Sequence, residues 1–352
     1  MIVKQVAGID VSQNELVVCL GSMSDTWVPD LYANKTFPNT NAGFKAFTGW
    51  VSKSTIDAVP VRYVMEATGV YHQKLAYFLN EAELEVTIVL PNKISNYARS
   101  LDTKTVTDKT ASQAIAQFGL ERKLDLWEKP QEVYNKIKHL TRERDQLVSE
   151  RTMLKNQLHA ELAQAYPYKK SLDRVRKRIA LLDKQEKEIM AELRGIIASD
   201  PEVQKIVMIL CSIPGIGMLT AATVLAETNG FELIRNKRQL TSYAGLDVKE
   251  KQSGTSIKGK PRISKKGNKY LRKALYLPAL SAIRHEETFK NIFVRLVSRH
   301  GIKMKAAVAI QRKLLELMFT LFKTKTKFDR KILDKGILKE MVVLEELGGE
   351  HE

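Results

Sequence analysis

The sequence predicts a multidomain protein of the α/β-plus-α class: a mixed-sheet domain first, a helical coiled-coil linker next, and an all-α domain last. Three observations carry this. Residues 1–128 alternate strand-like and helix-like runs. Residues 130–200 switch to Lys, Arg, Glu and Gln with apolar residues at 3-and-4 spacing. Beyond 200, apolar helical runs are separated by glycine turns and a basic loop. The divisions expected are 1–128, 129–200, 201–330 and an acidic tail over 331–352.

In the first domain, strands are expected near 4–10, 15–21, 33–37, 61–67 and 85–90, and helices near 41–53, 71–81, 92–101 and 108–119. Asp10 stands at the end of the apolar run through Val6 and Ala7, and Glu66 ends the run Val61-Arg62-Tyr63-Val64-Met65. An acid at a strand end is costly to bury unless turn hydrogen bonds or a metal ion offset its charge. Taken alone, Asp10 fits a turn. Two acids ending two central strands shift the balance, because magnesium-dependent nucleases place their oxygen ligands this way. Three early strands followed by alternating helix and strand is the order of a ribonuclease-H-like fold. A doubly wound nucleotide-binding domain is the competitor, but no glycine-rich phosphate loop follows the first strand. Farther on, Thr107 and Asp108 precede a helix, and either can serve as its cap.

The linker carries two apolar stripes. One runs through Val133, Ile137, Leu140, Leu147, Leu154 and Leu158, with Arg144 and Arg151 interrupting the seam; the other runs from Leu172 to Ile196. Tyr166-Pro167-Tyr168 separates them. This reads as an antiparallel pair or a coiled coil that joins chains, and equally as one hairpin packed on its own domain. Then Ile206–Ala226 runs uncharged for 21 residues, but Pro214-Gly215-Ile216-Gly217 interrupts it, so two short buried helices are expected and no membrane span. The turn at Gly215 and Gly217 frees backbone N–H groups where a phosphate can sit. Between Arg235 and Lys273 there are 13 basic residues against Asp247 and Glu250, a local charge of +11. Lys249, Lys251, Lys258, Lys260, Arg262, Lys265, Lys266, Lys269 and Arg272 are the candidates for phosphate contact. Two amphipathic helices, 270–284 and 288–322, close the domain.

The whole chain of 352 residues carries a net charge of +17, which points to a polyanionic partner, nucleic acid first. The N-terminus has no signal-peptide layout, and Cys19 and Cys211 sit in apolar runs as buried thiols. A cytoplasmic, nucleoid-associated protein is expected.

Four signatures occur in one order: Gly8-Ile9-Asp10-Val11-Ser12; Met65-Glu66-Ala67-Thr68-Gly69; Ile213-Pro214-Gly215-Ile216-Gly217; and Tyr243-Ala244-Gly245-Leu246 with Gln252-Ser253-Gly254 and Ile263-Ser264-Lys265-Lys266-Gly267-Asn268. Over roughly residues 5–325 the chain resembles the DEDD transposases of the "one-ten" insertion-sequence family, recombinases guided by a bridge RNA. The resemblance implies a RuvC-like first domain, a coiled-coil linker and a C-terminal domain supplying a serine nucleophile. It matches Asp10, Glu66 and Asp108 to the first three acids, which hold Mg2+, and Ser253 to the nucleophile. It further implies DNA substrates, a bridge RNA, and a homo-oligomer, dimer or tetramer, that assembles the site. The family's fourth acid falls at Ala111, which lies on one helical face with Asp108. That alanine is either an engineered substitution that arrests cleavage or a natural loss, and the intact surroundings favour the former. On the residues alone, Ser253 is a Gly-flanked turn serine. Two rivals remain: a RuvC-like junction resolvase or nuclease in which activated water attacks, and a non-catalytic nucleic-acid-binding scaffold.

Overall fold

The computed structural model describes residues 1–67, 69–101, 107–232, 234–249, 252–253, 257–258 and 262–330, with only the backbone at 252–253 and 257–258. The expected tail at 331–352, together with Lys251, Gly254 and Lys260, lies outside the described residues. The chain divides into two compact units, Met1–Lys129 and Pro130–Glu352.

The first unit is built on strands β1 (Ile2–Val11), β2 (Glu15–Ser24), β3 (Pro29–Pro38), β4 (Val61–Glu66) and β5 (Glu85–Val89), ordered β3-β2-β1-β4-β5. β1, β2 and β3 pair antiparallel, whereas β4 pairs parallel with β1 and β5 parallel with β4. This is the ribonuclease-H-like arrangement that the element order predicts. Strand side chains alternate between faces, so each face acquires its own core. Ala7, Ile9, Val11 and Met65 pack with Phe44, Phe47 and Val51 of α1 (Asn41–Ser54) and Leu75 and Leu79 of α2 (Gln73–Glu81). Val6, Cys19 and Val64 face the other way, toward Ile94 and Tyr97 of α3 (Pro91–Ser100) and Ile115, Ala116 and Phe118 of α4 (Asp108–Glu121). Burial pushes the Cys19 thiol up to about 11, so it stays protonated. Cys211 is only half-buried, a departure from the expected pair of buried thiols, because it closes a helix near the surface.

The second unit begins with two long helices, α5 (Glu132–Leu162) and α6 (Lys169–Ser199). Their cross-contacts run in opposite directions: Glu161 accepts from Ser171 at 3.2 Å, Arg151 pairs with Asp183 at 2.6 Å, and Arg144 pairs with Glu186 at 2.7 Å. They form one antiparallel hairpin, and the arginines that interrupt the seam are answered across it by Glu186, which also accepts from Arg151. At the hairpin's open end, Tyr134, Ile137, Leu140, Ile189, Leu193 and Ile197 join the core of the same unit. That core includes α7 (Pro201–Cys211), α8 (Met218–Glu227), α9 (Lys237–Ala244), α10 (Lys269–His285), α11 (Glu287–His300) and α12 (Lys303–Thr324). The uncharged run does break at Pro214 into two short helices, and no helix among the described residues is long and apolar enough to cross a membrane. The run expected as one helix over 288–322 is two, because Gly301 adopts the left-handed conformation that ends α11.

Candidate active site and nucleic-acid surface

The register of the central strands places the first two acids. Ile9 and Met65 are parallel partners, so Asp10 and Glu66 follow at the same level on adjacent strands. Both share the face of Val6, Gly8 and Val64, the face that α4 covers. The line of α4 follows from two close approaches. Gly119 lies against Val6 and Val64, and Ala116 lies against Gly8, where an added Cβ would meet the Ala116 nitrogen at 2.3 Å. Going back along α4 therefore leads from Val6 past Gly8 toward the strand ends that carry Asp10 and Glu66. The helix opens there at Asp108.

The cap is Thr107, not Asp108. Its side chain accepts from Thr110 N–H at 3.2 Å, and the Thr110 hydroxyl accepts from Thr107 N–H at 2.8 Å, a reciprocal capping box. Asp108 is thereby the first helical residue, exposed at the positive end of the helix dipole. The sequence left its role open, and the cap at Thr107 releases it. Ala111 stands three residues on, half-buried.

Asp10 senses the two other acids. Asp10 is pushed up to about 6, first by burial, then by the charges of Asp108 and Glu66, with a hydrogen bond from the Val11 backbone acting against the rise. An all-oxygen donor set carrying mutually repelling charge fits a hard divalent cation, which relieves that repulsion. Among the described residues no three acid, histidine or cysteine side chains already converge as a complete ligand set. Magnesium suits such a site, since it keeps several waters and takes few carboxylates.

Asn39 escaped the sequence reading. Its Nδ2 donates to the carbonyl of Ser12 at 2.8 Å and to that of Tyr71 at 3.3 Å, tying the loop after Asp10 to the loop after Glu66. An asparagine before a helix reads as a cap, and no local signal distinguishes this use.

The basic segment is a two-tier β-hairpin. Short strands β6 (Val248–Lys249) and β9 (Arg262–Ile263) pair antiparallel, as do β7 (Gln252–Ser253) and β8 (Ile257–Lys258). Ser253 pairs with Ile257, and Gln252 with Lys258. Lys249, Arg262, Lys265, Lys266 and Lys269 are exposed. Arg272 also has an internal tie: its Nη1 donates to the carbonyls of Ala244 at 2.8 Å and Gly267 at 3.1 Å. Gly215 also has an internal reason for its identity. Its φ is +88°, and a Cβ there would meet the Pro278 carbonyl of α10 at 2.6 Å. Gly217 precedes α8 with open space beside it.

Comparison with known proteins defines the class as transposases. Residues 7–167 match the DEDD transposase model of IS110, described as "Transposase", and residues 207–293 match the model described as "Transposase IS116/IS110/IS902 family". The chain belongs to the IS110 family of transposases. It is 29% identical to the pilin gene-inverting protein of Moraxella bovis over 333 residues, covering 94% of this chain and 99% of that one. It is 24% identical to the transposase for insertion sequence element IS1111A of Coxiella burnetii, covering 73% of this chain and 76% of that protein. Among solved structures, Thermus thermophilus RuvC is similar at 12% identity, covering 35% of this chain and 99% of that one with a TM-score of 0.28.

Proposed function

We propose that this transposase cuts and rejoins DNA through Ser253, with Mg2+ at Asp10, Glu66 and Asp108 and a bridge RNA choosing the sites. The observation that carries the reading is the strand register that sets Asp10 and Glu66 level on adjacent strands, with α4 leading Asp108 toward the same ends. Mg2+ held by these three would polarise a phosphoryl oxygen and stabilise the charge that develops on it. The chain's own residues do the rest. Ser253 loses its hydroxyl proton, its oxygen bonds to phosphorus, and the departing 3′ oxygen takes up a proton, leaving a phosphoserine link and a free 3′ hydroxyl. Attack by that hydroxyl on the phosphoserine phosphorus of a partner strand forms the new phosphodiester, breaks the serine–phosphorus bond and returns the proton to the serine oxygen. Lys249, Arg262, Lys265 and Lys266, exposed around the hairpin's base, neutralise the phosphates on either side. The acids and the serine belong to different units, and a homo-oligomer, dimer or tetramer, brings them to one phosphodiester. The +17 charge suits a load of RNA and DNA together. Base pairing by the RNA then supplies sequence choice while the protein reads backbone. The name of the Moraxella relative, a gene-inverting protein, fits strand exchange that restores both ends.

The test is a covalent protein–DNA adduct in an Ala111→Asp chain supplied with Mg2+. The added acid is expected to raise adduct formation by about 10–100-fold over the Ala111 chain, the range by which disturbed metal sites lose activity. Ser253→Ala in the same chain is expected to abolish the adduct while DNA binding persists. Cleavage that survives Ser253→Ala without an adduct would establish water as the nucleophile. Unchanged cleavage on adding the acid would remove position 111 from the metal site.

A further inference from the structure

The neck of the Ser253 hairpin closes on a buried anion that the reaction described above does not use. Glu227, the last residue of α8, has a fully buried carboxylate. Its Oε1 accepts from Arg142 Nε at 2.7 Å, and its Oε2 accepts from Arg142 Nη2 at 2.9 Å and Asn268 Nδ2 at 2.6 Å. Its backbone carbonyl accepts from the Tyr243 hydroxyl at 2.9 Å. Arg142 lies on α5, and its guanidinium stacks over the Tyr270 ring at 4.5 Å. Asn268 is the cap of α10, where the hairpin rejoins the helical body; its Oδ1 accepts from the N–H groups of Tyr270 and Leu271. Tyr243 stands in α9, where the hairpin departs.

The two ends of the hairpin are pinned to each other at the same place. Asn268 N–H donates to the Tyr243 carbonyl at 2.8 Å, Lys265 N–H to that of Gly245 at 3.1 Å, and Ser264 N–H to that of Asp247 at 2.8 Å. The Ser264 hydroxyl donates to Asp247 Oδ1 at 2.6 Å. A carboxylate this buried persists only when its partners satisfy it, and here every partner is a part of the neck or of the long helix beside it. Two residues of the signature motifs, Tyr243 and Asn268, thereby acquire a physical task. The arrangement spans α5, α8, α9 and the start of α10 through one group.

We propose that Glu227 is the positioning residue of the Ser253 hairpin: through Arg142 and Asn268 it fixes the hairpin's neck against α5, so that the direction of the long helix sets where the serine points. This rests on Ser253 being the nucleophile. In that role Glu227 acts through Asn268 and touches no substrate.

Glu227→Gln is the informative substitution. It keeps shape but replaces one oxygen with an amide donor, setting it against either Arg142 or Asn268, both donors themselves. Hydrogen exchange on the full chain reads the neck directly. The amides of Ser264, Lys265 and Asn268 are expected to exchange at least about tenfold faster, a measure of local opening, while amides of the β1–β4 ladder stay unchanged. In an Ala111→Asp chain the rate of serine–DNA adduct formation at saturating DNA is expected to fall at least about tenfold, with affinity for DNA held within about threefold. Should Glu227→Gln fail to fold, Arg142→Lys keeps the charge, loses the two-pronged grip and reads the same quantities. Unchanged neck exchange overturns the proposal, and so does a loosened neck with the adduct rate at saturating DNA within about twofold of the parent. A parent chain that forms no serine adduct refutes the nucleophile instead, and the exchange measurement still decides whether Glu227 holds the neck.

Discussion

Gly8→Ala is expected to destabilise the first unit by about 3 kcal/mol, the upper end of ordinary overpacking. A methyl group at position 8 would lie 2.3 Å from the Ala116 nitrogen, 2.5 Å from its Cα and 2.6 Å from its Cβ. Two of these atoms are backbone, so no rotamer change relieves the contact. α4 must retreat from the sheet, and with it go the contacts of Ile115, Ala116, Phe118 and Leu120. Ala116→Gly in the same chain removes only the Cβ contact, so it restores a small part of the loss. Denaturant unfolding measures this. A loss under about 1 kcal/mol would mean that α4 is not held by close approach at Gly8. The same retreat carries Asp108 away from Asp10, and divalent-cation binding is expected to weaken in parallel.

Asp10→Asn is expected to stabilise the metal-free protein at neutral pH. The folded chain holds the Asp10 proton up to about pH 6, against an ordinary value of 3.8. Between those values the folded state binds more protons than the unfolded one, so stability falls as pH rises through the window, and the full penalty stands above it. Removing the charge returns about 1–2 kcal/mol at pH 7.5 once solvent screening is allowed for, and nothing below about pH 4. Mg2+ or Mn2+ should raise the melting temperature of the parent and leave that of the Asp10→Asn chain nearly fixed. Melting curves against pH, with chelator and with metal, check both arms. A substituted chain no more stable than its parent at pH 7.5 would show that the acids do not strain the metal-free fold.

Much of the first unit is legible because its signals are local. An apolar run that ends at Asp10 and another that ends at Glu66 need no distant partner to be recognised. What sequence reasoning could not supply was which residue caps α4, since threonine and aspartate serve equally until the geometry chooses. Glu227 shows the opposite case. It closes an uncharged run and invites no comment, because its meaning depends on Arg142, 85 residues earlier, and Asn268, 41 later. Arg272 was read with its basic neighbours as a candidate phosphate contact, and its Nη1 also binds carbonyls of its own chain. A count of charges does not distinguish a side chain that faces solvent from one that laces the chain to itself.

The seam of the helical hairpin carries a last consequence. Glu186 grips Arg144 and Arg151, positions one heptad apart, so it works as a tooth between two stops. Sliding α6 by seven residues would bring Ile179 or Leu193 between the two guanidiniums and leave Glu186 beside only one of them. Each helix is 31 residues, about 46 Å at the α-helical rise, and the tooth makes that a ruler of fixed length. Matched heptads added to both helices would lengthen the ruler intact, whereas seven residues added to one alone would jam it.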